Sequence, residues 1–74
     1  MRLDKWLKVT GLIKRRTIAK QMCDSGMVSI NGKAGKPDYN VKMGDKIEIF
    51  SPKPLTVLVE DELPKRGIGY KISS

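Results

Sequence analysis

The chain is 74 residues long with a formal net charge of +7, no histidine and one cysteine. That length allows one small domain with a modest core, and the inventory excludes an internal disulfide and leaves no ligand set for a Cys/His zinc site. No apolar run approaches the ~18–20 residues that span a bilayer, and the start Met1-Arg2-Leu3-Asp4-Lys5 lacks the apolar segment of a signal peptide, so a cytoplasmic protein in a reducing compartment, with no membrane partner, is expected.

In chain order, Leu3, Trp6 and Leu7 recur at i, i+3, i+4 and mark one face of a short helix over about residues 2–9, stopping near Thr10-Gly11. Asp4 falls in its first turn, where a carboxylate favours the helix dipole, and Trp6 falls on the apolar stripe and is expected in the core. Ile18, Ala19, Met22 and Cys23 define a second apolar face on a helix over about 15–25 that stops at Gly26, with Ala19 small enough to let the helices approach. The period then changes from 3.6 to 2. Val28 and Ile30 alternate as a strand, and Asn31-Gly32 is a strong hairpin signal because a type I′ turn needs positive φ at both central residues. Lys33 to Lys36 start the return strand, which Pro37 ends or confines to an edge. Gly44-Asp45 marks a second turn before Ile47 and Ile49; Leu55, Val57 and Val59 form another alternating run, 61–67 is a polar loop, and Ile68, Tyr70 and Ile72 form a last strand. The expected class is α+β, two short helices on one face of a small antiparallel sheet, with Leu3, Leu7, Ile18, Ala19, Met22, Val28, Ile30, Ile47 and Ile49 buried together.

The charge is not spread evenly. Arg2, Lys5, Lys8, Lys14, Arg15, Arg16 and Lys20 stand against Asp4 alone in the first twenty residues, leaving only one net positive charge on the rest of the chain. A basic cluster on an ordered surface attracts polyanions, and RNA is the common one in a cell. Aromatic side chains are too few for the stacking platform of a single-strand binder, so structured RNA read through shape and phosphate positions fits better. Catalysis has no foundation here: with no histidine to activate it, Cys23 reads as a small buried apolar residue, and the carboxylates form no acid–base pair. No metal or cofactor is expected.

Four motifs then occur in order over residues 1–50. Arg2-Leu3-Asp4-Lys5-Trp6-Leu7, Arg16-Thr17-Ile18-Ala19, Gly26-Met27-Val28-Ser29-Ile30-Asn31-Gly32 and Val41-Lys42-Met43-Gly44-Asp45-Lys46-Ile47 resemble, in turn, the RLDK-x-L, R-x-x-A, G-x-V-x-V-N-G and V-x-x-G-D-x-I patterns of the S4 RNA-binding domain. The resemblance implies the S4 (alpha-L) fold for the core motif, 1–50, with additional strands over 51–74 in the same single domain. It also implies that RNA lies against the two-helix layer and its junction with the sheet, which carries Arg2, Lys5, Lys8, Lys14, Arg15, Arg16 and Lys20. Arginine can grip phosphate bidentately and stack on bases, so Arg2, Arg15 and Arg16 are candidates for exact contacts, the lysines for positioning charges. Lys33 and Lys36 form a possible second fringe. The chain departs from the wider pattern at Arg15, where a capping Ser is common.

Among free-standing S4 proteins, the run from Leu12 to Thr17 and the short ending resemble the RqcP or YabO type of bacterial ribosome-associated quality control. That implies a non-enzymatic monomer that binds 23S rRNA and peptidyl-tRNA on the 50S ribosomal subunit and steadies the tRNA in the P-site while an RqcH-type tailing factor adds alanine. Two alternatives stay open: the fifteen-kilodalton heat-shock type, which binds 50S–nascent chain complexes, and a detached S4 module of an RNA-modifying enzyme. A helix-turn-helix DNA binder is disfavoured by the hairpin directly after the second helix.

Overall fold

The computed structural model describes residues 1–50, 53–64 and 69–73. Two helices, α1 (Leu3–Val9) and α2 (Arg16–Asp24), precede five strands: β1 (Val28–Ile30), β2 (Lys33–Ala34), β3 (Lys46–Ile49), β4 (Leu55–Val59) and β5 (Tyr70–Ile72). The strands form one sheet in the order β2-β1-β3-β4-β5, every neighbouring pair antiparallel. The expected α+β architecture is therefore the observed one, with helix limits within a residue of those read from the periodicity. Lys65, Arg66, Gly67 and Ile68, expected in the last loop and strand, lie outside the described residues.

Alternation decides which face of the sheet is covered. Val28 opposes Ile49, Ile30 opposes Ile47 and Ile47 opposes Val57, so Val28, Ile30, Ile47, Ile49, Val57 and Val59 share one buried face. Leu3, Trp6 and Leu7 of α1 are fully buried in the same cluster, joined by Ala19 and Cys23 of α2 and by Val41. A seven-residue helix is too short to hold its shape alone in water; α1 is held by this burial and by its entry. There Leu3 N–H donates to the Tyr39 carbonyl (2.7 Å), Val41 N–H donates to the Met1 carbonyl (2.9 Å), and Arg2 bridges to Asn40.

The turns behave as the residue types require. Asn31 (φ 52°) and Gly32 (φ 82°) are the two positive-φ residues of the hairpin between β1 and β2. At the end of α2, Gly26 N–H bonds the Cys23 carbonyl (3.1 Å) and Met27 N–H bonds the Met22 carbonyl (2.9 Å), a Schellman closure with Gly26 at φ 78°.

One core assignment is corrected. Ile18 is 43% exposed. The four apolar positions of α2 span an arc wider than the seam it can bury, because α2 packs chiefly on α1 and only lightly on the sheet. Ala19 and Cys23 take the seam, Met22 is half-buried at its edge, and Ile18 falls on the far side. Trp6 is buried as expected, and its indole N–H donates to the Asp61 carbonyl (3.0 Å) while its ring meets Tyr70 edge-on at 6.4 Å. In urea unfolding, Leu7→Ala should cost about 2–5 kcal/mol, whereas Ile18→Ala should cost about 0.5 kcal/mol; equal losses would contradict the placement of Ile18.

Candidate nucleic-acid interface

All seven expected cations are solvent-exposed, and they are distributed over three stretches. Arg2 is the N-cap of α1, and Lys5 and Lys8 lie on α1 away from its buried stripe. Lys14 is in the connection between the helices. Arg15 is the N-cap of α2, Arg16 its first residue, and Lys20 lies one turn further along. Arg15 gives α2 no side-chain cap, as the replacement of a capping Ser implied.

The cations differ in how they are held. Arg2 Nη2 lies 3.3 Å from Asp4 Oδ2, and Arg16 Nε lies 3.4 Å from Asp4 Oδ1. Among the described residues, Lys5, Lys8, Lys14, Arg15 and Lys20 form no ion pair. Sequence reasoning missed the second task of Asp4, which was assigned to the helix dipole alone. Its side chain is 4% exposed and meets a guanidinium from each helix region. The available signal was its place in α1, one residue after Leu3 and three before Leu7, at the border of the buried stripe that faces α2. Arg16 is thus not a free surface charge, and its removal leaves Asp4 with Arg2 as its one ion-pair partner among the described residues.

Lys20 faces a cleft of about 510 Å³ between α2 and the turn after β2, lined also by Arg2, Cys23, Asp24, Lys36 and Asp38. Arg2, Lys20 and Lys36 are brought to one concavity, so the fringe expected at Lys36 adjoins the helix layer, while Lys33 lies around the hairpin on a separate hollow with Tyr39. Burial, with the charges of Asp4 and Asp24 adding to it, pushes the Cys23 thiol up to about 11; at neutral pH it is protonated and not a nucleophile.

A polar latch that sequence reasoning did not find locks the sheet side. Asn31 donates from Nδ2 to Asp45 Oδ1 (3.0 Å) and accepts at Oδ1 from Lys46 N–H (2.9 Å). Asp45 Oδ2 accepts from the Tyr39 hydroxyl (2.8 Å) and from Lys42 N–H (2.9 Å). The Asn-Gly and Gly-Asp turns, identified separately by their φ demands, are tied to each other through their side chains. Burial tends to raise the Asp45 carboxyl, but the donors at Lys42, Asn31 and Tyr39, with the Lys42 charge, outweigh it and hold it below its ordinary value. The same hydrogen bond, with burial and the Asp45 charge, raises the Tyr39 hydroxyl.

The geometry can be set against known proteins. The S4 domain family model matches residues 1–47. This chain belongs to the S4 domain family. It is 52% identical over 61 residues to a protein of Listeria monocytogenes named RQC P-site tRNA stabilizing factor, covering 81% of this chain and 66% of that one. The protein of that name in Bacillus subtilis is 52% identical over 62 residues, 82% of this chain and 72% of that one. The chain thus spans about two thirds of the length of these relatives. A Bacillus subtilis RNA pseudouridine synthase, YlyB, is 38% identical over 61 residues, but these are 20% of that enzyme. Among solved structures, the trimeric heat shock protein 15 of Vibrio cholerae superposes with a TM-score of 0.87 at 28% identity, covering all of this chain and 82% of that one. The superposition takes in both helices and the five-stranded sheet of this chain.

Asp45 supplies a pH test. Its folded pKa is depressed, so its contribution is fully present above the unfolded value of ~3.9 and is lost as pH falls through the folded value. Asp45→Asn should cost about 1–3 kcal/mol at pH 7, with the gap from the unmodified chain narrowing below about pH 4. Urea midpoints at pH 7 and pH 3 check this; a gap of constant size would show that charge is not involved.

Proposed function

We propose that this S4 protein is a P-site tRNA stabilizing factor of ribosome-associated quality control. On this reading it binds the large (50S) ribosomal subunit after splitting, contacts peptidyl-tRNA and the adjoining 23S rRNA, and steadies the tRNA while an RqcH-type factor extends the unfinished chain with alanine. It would work in the bacterial cytoplasm; no helix among the described residues is long and apolar enough to cross a membrane. The reading is carried by the 52% identity to relatives of that name and supported by the layer of exposed cations on α1, on α2 and between them.

The mechanism is positional. Arginines and lysines on a preformed surface lower the free energy of one tRNA position by charge-assisted contacts to phosphate, and no bond is made or broken. The sequence offers no histidine for proton transfer, and the only thiol in the chain is held protonated. The heat-shock reading shares the fold with a solved protein at lower identity; the two are separated by which particle is selected. In pelleting assays the chain should prefer 50S particles carrying peptidyl-tRNA over vacant 50S and over 30S. Equal recovery on vacant 50S would refute P-site stabilisation.

Two further outcomes follow from the electrostatics. If about four to six phosphates are engaged, log K should fall against log salt with a slope of roughly −4 to −5; a flat response would mean that the cations are only a solvated surface. Arg16→Ala should weaken binding to these particles by about 1.5–3 kcal/mol. Lys71→Ala, the same change of charge on β5, should change it by less than about 0.5 kcal/mol. Equal losses would leave a generally basic protein without a localised binding face.

A further inference from the structure

Arg2 and Arg16 come from different parts of the chain, one ahead of α1 and one opening α2, and a single carboxylate stands between them. Their side chains are 50% and 48% exposed, against 4% for Asp4. Each carboxylate oxygen faces a different guanidinium, Oδ2 the Nη2 of Arg2 and Oδ1 the Nε of Arg16. Asp4 itself is held firmly: Oδ1 accepts from Lys5 N–H (2.7 Å), and Asp4 N–H donates to the Pro37 carbonyl (3.2 Å).

A buried ion pair is seldom a net gain over a well-packed apolar residue, and a negative charge within an RNA-binding layer repels the ligand. What the carboxylate adds is direction. An arginine side chain has rotamer entropy to lose on binding, and a contact made in advance removes part of that cost from the binding step. An ion pair through Nε also leaves the Nη1–Nη2 edge of Arg16 clear of Asp4, and that edge can pair bidentately with a phosphate. Resting on the RNA-binding reading above, we infer that Asp4 is a positioning residue for nucleic acid: it orients the guanidinium groups of Arg2 and Arg16 together, so that their outer N–H groups meet the phosphate backbone already in place.

The inference has a sign that simple electrostatics does not share. Asp4→Asn raises the net charge by one, so attraction alone would tighten binding to RNA. Positioning requires the reverse. By fluorescence anisotropy with a labelled RNA duplex of about 16 base pairs, Asp4→Asn should bind roughly tenfold more weakly than the unmodified chain. In an Arg16→Ala background the same change should cost only about threefold, because one of the two groups it orients is gone. Unchanged or tighter binding by Asp4→Asn would overturn the inference, and so would an equal loss in both backgrounds, which would mark Asp4 as merely structural. Should Asp4→Asn fail to fold, nitrogen-15 spectra of the unmodified chain decide: the Arg16 Nε–H should exchange with water markedly more slowly than that of Arg15, and equal exchange rates would overturn the inference. Failure of the unmodified chain to bind either duplex or 50S particles would remove the functional reading as well, whereas loss of the Asp4 effect alone would leave it standing.

Discussion

The burial of one stripe of α1 governs the rest of the molecule. Leu3, Trp6 and Leu7 are fully enclosed between α2 and the inner face of the sheet, and a helix of seven residues has little stability apart from such docking. Once that stripe is turned inward, the other side of the helix has no freedom of direction. Lys5 and Lys8 must point to solvent, and Arg2, in the strand-like bridge ahead of the helix, is fixed by the pairing of 1–3 with 39–41. The cationic surface is thus the back of the core. Mutations that loosen the interior of this protein would also disorganise its charges.

The two polar clusters illustrate how a small domain handles buried carboxylates. Asp45 accepts three hydrogen bonds, one from backbone and two from side chains, and so behaves as a satisfied structural hub between turns. Asp4 accepts from one backbone N–H and otherwise faces two arginines that remain half in solvent. One carboxylate is completed by the fold itself; the other is completed by groups that are also available to something outside it.

Much of the fold was legible because short-range chemistry and periodicity agree along the chain. The change of apolar period at Gly26, the positive φ demanded at Asn31-Gly32 and the alternation in β3 and β4 each identify an element without reference to the others. Ile18 was misread because a helical wheel shows which residues are adjacent, not how wide a seam the partner offers; the light contact of α2 with the sheet is a tertiary fact. The basic residues of the site were legible as a charge asymmetry. Their sorting into two arginines paired with Asp4 and five cations with no ion pair among the described residues was not, since it depends on Asp4 meeting Arg16 across twelve residues of chain, and neither was the Asn31–Asp45–Tyr39 latch, which joins residues fourteen and six positions apart.

The indole of Trp6 has one further consequence. Its N–H is satisfied by the Asp61 carbonyl and its ring leans on Tyr70, both far beyond residue 47, where the family pattern stops. A segment that is recognisable as a unit of descent is therefore not a unit of folding here. Cut at the limit of the shared pattern, the N-terminal helix would present a bare tryptophan to water, so β4 and β5 are the lid of the hydrophobic interior, and grafting the recognisable segment alone onto another protein would import an open core along with the charges.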